Sequence, residues 1–356
     1  MKYFFILLFF CQPLFAQNDT LVVDSVRFED QIGIKIVRLK DRMGIVNDTG
    51  KVLLPLIYHT VDFLVKDTLC KEWANILKIQ QGRLFALAHS SGQALTEMAF
   101  EEITYLTETC QAKKHAKVLK VKQFGKYGLI DSQGSILIRP SYEEIVLLKD
   151  TANALPANEV VRVKKNAKYG MMELQTQQVL SSQFDEIVFL QDIFVKNKPI
   201  TFLKIRLKDK YAFCNLNQKD QISFDFDEIN AFSQTEQLAL VKKNKKYGFV
   251  DYKLNFRIKP LYDYAENFKN NLSIVQKGNY FGILNSQNKE ILPTEYDLVE
   301  WIGEKYLKIS KKQKIGLVDL SGKIVASPQY EKIRFDAQNQ VFEGEKNGIW
   351  EAIKLQ

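Results

Sequence analysis

The sequence predicts an all-β chain, a tandem array of β-repeat units that is propeller-like in unit size. Three observations predict it. First, a small residue recurs at Gly44, Ala86, Gly128, Gly170, Ala212, Gly248, Gly282 and Gly316, and an aromatic follows each by fourteen residues, at Tyr58, Phe100, Tyr142, Phe184, Phe226, Tyr262, Tyr296 and Tyr330. Second, that interval never changes, whereas the step between successive small residues is 42 four times and then 36, 34 and 34. Fixed cores with elastic connections are the mark of repeated supersecondary units. Third, long helical periodicity is missing and short alternating stretches take its place. Units of this length suit propeller blades of three or four strands. An open β-solenoid or superhelical stack of hairpin units is the alternative, since it accepts any number of units.

Taken in order, residues 1–16 (MKYFFILLFFCQPLFA) read as a signal peptide. Lys2 is the basic start, Tyr3–Phe10 the apolar run, and cleavage after Ala16 leaves Gln17 first. The run is too short to span a bilayer, and no later stretch is apolar enough, so no transmembrane segment is expected in the mature chain. Cys11 is the alternative, a lipid-bearing cysteine, although bulky Phe10 precedes it where a small residue is wanted. Cleavage leaves Cys70, Cys110 and Cys214, an odd number without a CxxC, which reads as buried small hydrophobes. Residues 17–33 form a polar lead-in, and the repeat domain occupies 34–356.

Each unit follows one local plan. A strand precedes the small residue, as in Leu119-Lys120-Val121-Lys122, and a second runs through it, as in Leu129-Ile130-Asp131. Six residues past the small residue stands Gly50, Gly92, Gly134, Asn288 or Gly322, types that tolerate the positive φ of a hairpin turn. A third strand follows and carries Pro55, Pro140, Pro260, Pro293 or Pro328 just before the aromatic, where proline marks an exposed edge or a strand end. The variable connection has room for a fourth strand. Thr176 and Gln218 break the turn rule, so those hairpins are expected to be looser. Leu147–Glu159 and Leu190–Thr201 are the longest polar connections and the expected protruding loops. Lys346-Asn347-Gly348-Ile349-Trp350 reads as the start of a ninth, incomplete unit.

The pattern [KR]-x-G-[LIF]-[IV]-[DN]-x-x-G…P-x-[YF]-[DE]-x-[IV] resembles the WG repeat family, also described as KWG repeats. It is clearest at Lys126–Asp131, Lys246–Asp251 and Lys314–Asp319, and it covers about residues 40–350. The family's tryptophan is replaced throughout, by Met43, Phe85, Tyr127, Tyr169, Tyr211, Tyr247, Phe281 and Ile315, while Trp73, Trp301 and Trp350 fall elsewhere. The resemblance implies an all-β, propeller-like repeat fold, often in exported bacterial proteins, and no particular activity.

Chemistry is sparse. Only three histidines occur, His59, His89 and His115, without metal spacing, and no GxSxG, Walker A or GxGxxG motif is present. No catalytic residue, metal ligand or cofactor is assigned. Net charge is +8, or +7 without Lys2, which suits an anionic partner. Six and eight residues before the small residues stand Arg38, Lys78, Lys120, Lys122, Arg162, Lys164, Lys204, Arg206, Lys242 and Lys308. One reading is a basic stripe for an acidic glycan or membrane surface. The other is cross-strand pairing with the recurrent acids Glu101-Glu102, Glu143-Glu144, Asp185-Glu186, Asp227-Glu228 and Glu331, each pair contributing about 0.2–1 kcal/mol. The expected function is an exported, non-catalytic repeat protein that binds another protein or an anionic envelope polymer, in the periplasm or at the cell surface. Nucleic acid is not an expected partner. The alternatives are a hydrolase-type enzyme with its site in a central channel or the long loops, and an envelope component tethered through Cys11.

Overall fold

The computed structural model describes residues 23–29, 33–64, 75–106, 118–148, 160–174, 179–195, 198–216, 222–336 and 341–355. The proposed signal peptide with Cys11, and also Cys70, Cys110, His115, Thr176 and Gln218, lie outside them. Among the described residues every regular element is a strand, and the strands form nine antiparallel sheets in chain order. The sheets occupy residues 25–58, 60–89, 102–142, 144–184, 186–215, 228–262, 264–296, 298–330 and 332–352 and are numbered 1 to 9 here. The chain is an all-β tandem repeat array. Its packing divides it into two compact units, Met1–Ile145 and Val146–Gln356.

Sheet 8 shows the plan, with strands Leu298–Ile302, Tyr306–Lys311, Lys314–Asp319 and Ile324–Tyr330 paired in that order. The fourth strand that the sequence leaves room for is the segment directly after each aromatic. The aromatic therefore closes one sheet, and the acidic residue after it opens the next. Sheet 1 likewise begins with Ser25–Glu29, inside the lead-in, which pairs with Ile34–Leu39.

Consecutive sheets within a unit stack face to face, and each core is shared by two of them. Phe100 of sheet 2 packs with Leu87 of its own sheet and with Ile103, Leu119 and Val121 of sheet 3. Phe226 joins Phe202 and Phe213 of sheet 5 to Ile229, Val241 and Val250 of sheet 6. Tyr296 and Tyr330 do the same between sheets 7 and 8 and between sheets 8 and 9. Phe184 lies between sheets 4 and 5, and partly buried Tyr58 and Tyr262 lie on the cores of sheets 1–2 and 6–7. Tyr142, half-buried, pairs with Tyr127 at the end of sheet 3. Burying a side chain of this kind contributes about 1.5–3 kcal/mol, so the stacking, more than any one sheet, supplies the stability.

The recurrent glycine is a steric requirement. Opposite it the fourth strand bulges: in sheet 3 the register steps from Tyr127↔Tyr142 to Leu129↔Ile138. A Cβ on Gly128 would lie 2.5 Å from the Ile138 carbonyl oxygen, and on Gly44, Gly170, Gly248, Gly282 and Gly316 between 2.4 and 2.6 Å from the equivalent oxygen. Pro140, Pro260 and Pro328 sit in this bulge, with nitrogens 2.7 Å from the same Cβ position, where a missing N–H costs no ladder bond. Ala86 and Ala212 carry the methyl that the bulge excludes. In their sheets, 2 and 5, no fourth strand forms among the described residues, and the aromatics are held by single bridges, Phe85↔Phe100 and Tyr211↔Phe226.

The hairpin turns after the third strands are capped by the [DN] of the repeat. The Asp319 Oδ1 accepts from the amides of Ser321 and Lys323 at 2.8 and 3.0 Å, and Asp131, Asp251, Asn285 and Asn47 do likewise. Gly322 holds φ 86° here, whereas sheet 6 places Leu254 at φ 64°.

Two expectations are corrected, and a third lies mostly outside the described residues. Leu190–Thr201 is not a loop: the ten-residue strands Glu186–Val195 and Lys198–Leu207 run through it as a hairpin, because Ile193 from one and Phe202 from the other enter the core that holds Phe232. Leu147–Glu159 is described only to residue 148. The ninth unit is framed three residues later than its glycine suggests. Asn347 and Gly348 are the turn (φ 49° and 78°), and Trp350 pairs with Glu345 as Ile315 pairs with Ser310, so Trp350 does stand at the family's tryptophan position.

Gly316→Ala is expected to cost about 1–3 kcal/mol in urea denaturation, the usual penalty for overpacking. Ala86→Gly, which relieves no clash, should change stability by less than half as much; an unaltered Gly316→Ala midpoint contradicts the steric reading.

Candidate functional site

The basic register lies along the second strands, and its side chains lean over the ring that replaces the family's tryptophan. Lys78 Nζ is 4.4 Å from the centre of Phe85, Lys204 4.4 Å from Tyr211, Lys242 4.7 Å from Tyr247 and the Arg162 guanidinium 4.8 Å from Tyr169. Lys120 and Lys122 share Tyr127 at 5.2 and 5.5 Å, and Lys164 stands 5.5 Å from Tyr169. A cation over an aromatic face is attracted by the ring quadrupole. Two of them also reach the next sheet: Lys78 Nζ donates to the Ile103 carbonyl at 2.9 Å, and Arg162 donates to that of Ile187 at 3.2 Å. Burial lowers the Lys78 pKa, while Glu102 and Asp62 oppose the shift. Arg206 and Lys308 pair with Glu186 at 3.2 Å and Glu300 at 3.0 Å, and Arg38 donates to the Lys40 carbonyl at 3.0 Å. Apart from exposed Arg38, these cations are half-buried.

The recurrent acids expected to face the basic register divide their roles, and Glu143, Asp185, Asp227 and Glu331 take the motif lysine instead, in the most regular polar arrangement among the described residues. At five crossovers the acid that opens the next sheet sits seventeen residues after the [KR] of the motif, and the two meet, whereas Leu84 and Tyr280 stand seventeen residues before Glu101 and Asp297. Lys168 pairs with Asp185, Lys210 with Asp227, Lys246 with Asp263, Lys314 with Glu331 at 3.2 Å and Lys126 with Glu143 at 3.7 Å. Three of these carboxylates, and Glu101, which has no motif lysine, also accept amides from the hairpin turn of the following sheet. Asp185 accepts from Lys208 N at 2.5 Å, Asp227 from Lys245 N at 2.8 Å, Asp263 from Gly278 N at 2.9 Å and Glu101 from Gly125 N at 3.1 Å. The acid's own amide meanwhile donates into that sheet, as from Asp227 to the Lys242 carbonyl at 2.8 Å. One residue thus ties a lysine of one sheet to a turn of the next. The signal was present in the sequence as two recurrent charges at constant spacing; the amide partner has no side-chain signature.

The electrostatics follow. The Lys168 ammonium, then the Lys208 amide, hold the Asp185 carboxyl below its ordinary value; Lys210 and the Lys245 amide do so for Asp227, Lys246 and the Gly278 amide for Asp263, and Lys314 for Glu331. A depressed carboxyl stabilises the fold fully above the unfolded value of about 4, and that contribution is lost as pH falls through the folded value.

The first crossover departs from the rule. His59 stands where the acid should, with Arg42 3.2 Å from its Nε2 and the Gly82 amide donating to its Nδ1 at 2.9 Å. His89 is bound to Ser91 in a turn, Nδ1 to Oγ at 2.8 Å. Among the described residues no group of three or more His, Cys, Asp or Glu could hold a metal ion, and Cys214 is buried. Trp301 is partly buried in the core of sheets 7 and 8, with Lys269 4.8 Å from its ring centre.

Two outcomes are expected. The thermal midpoint should hold from neutrality to about pH 5 and fall below about pH 4, and the triple variant Asp185→Asn, Asp227→Asn, Asp263→Asn should flatten that fall; an unchanged acid slope contradicts the assignment. His59→Asp completes the first crossover and should raise the midpoint by roughly 1–2 °C, less at high salt because the pair is exposed.

No curated protein matches the sequence. Among solved structures, a eukaryotic initiation factor matches over 95% of this chain and 90% of its own, at 11% identity and TM-score 0.32. The extracellular domain of BT4673 from B. thetaiotaomicron matches over 97% and 60%, at 11% and 0.26, and PorZ, a surface component of the type-IX secretion system of Porphyromonas gingivalis, over 93% and 53%, at 9% and 0.20. The chain thus spans 60% and 53% of the length of the latter two. Likenesses this slight carry no argument about fold or function. The pattern described as "WG containing repeat" matches residues 127–169, 222–247, 247–281 and 315–340. Each matched stretch holds a repeat aromatic followed by its crossover acid, Tyr142-Glu143, Phe226-Asp227, Tyr262-Asp263 and Tyr330-Glu331, and in these four stretches the chain carries WG-containing repeats.

Proposed function

We propose that this chain is an exported, non-catalytic repeat scaffold that presents a surface to another protein or to an anionic envelope polymer. One observation carries the reading: the recurrent ionisable groups are engaged in joining sheet to sheet, while half-buried cations over aromatic rings recur along the second strands. A catalytic carboxylate or histidine has to be poised for proton transfer. Here the crossover carboxyls are kept ionised by ammonium groups and amides. Rows of cations serve electrostatic attraction without chemistry, and their affinity is salt-dependent. No helix among the described residues is long and apolar enough to cross a membrane. Export rests on the leader-like residues 1–16, and mass spectrometry of the mature protein decides between a chain starting at Gln17 and a lipid on Cys11.

The test is retention on immobilised dextran sulfate. Binding should weaken by about tenfold between 50 and 200 mM salt, and Lys122→Gln with Lys164→Gln should weaken it further at unchanged circular dichroism. Salt-independent retention, or turnover in a broad hydrolase screen, contradicts the proposal.

A further inference from the structure

Sheet 7 lacks a charge pair that several other sheets carry, as do sheets 2 and 8, where Thr60 faces Gln80 and Leu298 faces Ser310. In sheets 3, 5 and 6 the first strand faces the second with an acid opposite a base: Glu102↔Lys122, Glu186↔Arg206 and Glu228↔Lys242. In sheet 7 the same two positions hold Tyr264 and Gln276. An ion pair has become a ring and an amide, and the ring is not sunk into the core, for Tyr264 is 41% exposed.

Its surroundings suit a polyhydroxylated ring. Tyr247 of sheet 6 meets Tyr264 edge-on, with centroids 6.3 Å apart and planes at 68°, which steadies the Tyr264 ring. The Tyr264 hydroxyl donates to Glu266 Oε1, the Tyr247 hydroxyl to Glu228 Oε2, and Lys242 Nζ to the Tyr247 hydroxyl, each at 3.3 Å. Such contacts are at the long end of hydrogen bonds, so ligand hydroxyls can replace them at little cost. The aromatic face attracts the positively polarised C–H face of a sugar, carboxylates accept its hydroxyl protons, and Gln276 can both donate and accept. Two carboxylates against one ammonium disfavour an acidic sugar. A protein partner would instead want a charge-depleted centre within about 800 Å² of surface per side, whereas charged groups stand within hydrogen-bond reach of both hydroxyls.

We propose that Tyr264, Tyr247 and Gln276, with Glu228 and Glu266, form a subsite for an uncharged saccharide ring. This goes beyond the preceding section and does not depend on it, because that reading rests on the basic register and is probed with a polyanion.

Saturation-transfer NMR and calorimetry with the β-1,4-linked tetramers of glucose and of N-acetylglucosamine test it on the full chain. At least one is expected to bind with a millimolar or tighter Kd. Tyr264→Ala should weaken binding by about tenfold or more, and Tyr264→Phe, which keeps the ring, by no more than about threefold. Tyr280→Ala, which removes another exposed ring of the same sheet, should leave it unchanged. Matched thermal midpoints show that the variants fold. Failure of both tetramers to bind, or equal binding by wild type and Tyr264→Ala, overturns the subsite, and loss on Tyr280→Ala alone moves it elsewhere and overturns it equally.

Discussion

A carboxylate placed where the chain leaves one sheet for the next is the contact on which this repeat architecture depends. Its position answers a geometric problem. The chain must end an edge strand, turn into the neighbouring sheet and begin a new ladder within about two residues, in a region where backbone amides want partners. Asp227 meets all three demands: its amide enters the Lys242 carbonyl, one oxygen takes the Lys210 ammonium and the other the Lys245 amide. An exposed ion pair by itself stabilises weakly. What matters here is that the same acid fixes the orientation of a second sheet, so that the cores beneath can form in register.

The apolar side of the design depends on that placement. An aromatic one residue before the acid is carried into the space between two sheets, where Phe226 touches both Phe213 and Ile229, and Tyr296 both Leu292 and Val299. The glycine partway along the unit lets the bulged edge strand come close enough to deliver that aromatic. Alanine in sheets 2 and 5 coincides with the loss of the fourth strand, yet Phe100 and Phe226 stay buried. The ring therefore matters more than the ladder that normally brings it.

Much of this was legible in the chain itself. The constant interval from small residue to aromatic identifies the unit, because burial of a ring and avoidance of a Cβ are demands on single side chains. The frame of the sheets was harder to read. Glu144–Leu147 follows Tyr142 without a break in sequence, and nothing in its composition says that it belongs to the next sheet. Asn347-Gly348 imitates the motif glycine while serving as a turn, which displaced the ninth unit and hid the status of Trp350. The polar run from Leu190 to Thr201 concealed two strands because its buried side is short and alternating, with Thr201 bonded to Asp192 at 2.6 Å. The crossover contact was written in two of its three parts; the third is a backbone amide, which any residue but proline supplies.

The functional account separates what repeats from what does not. Recurrent charges are engaged where sheet joins sheet, so specificity is to be sought where one copy departs from the others. The claim that everything else requires is that the crossover carboxylate truly captures the amide of the next turn. Amide hydrogen exchange at Lys245 and Gly278 measures this directly. Slow exchange in the wild type, lost at Lys245 alone in Asp227→Ala and at Gly278 alone in Asp263→Ala, is the predicted result; exchange at the rate of an unstructured peptide in the wild type would contradict it.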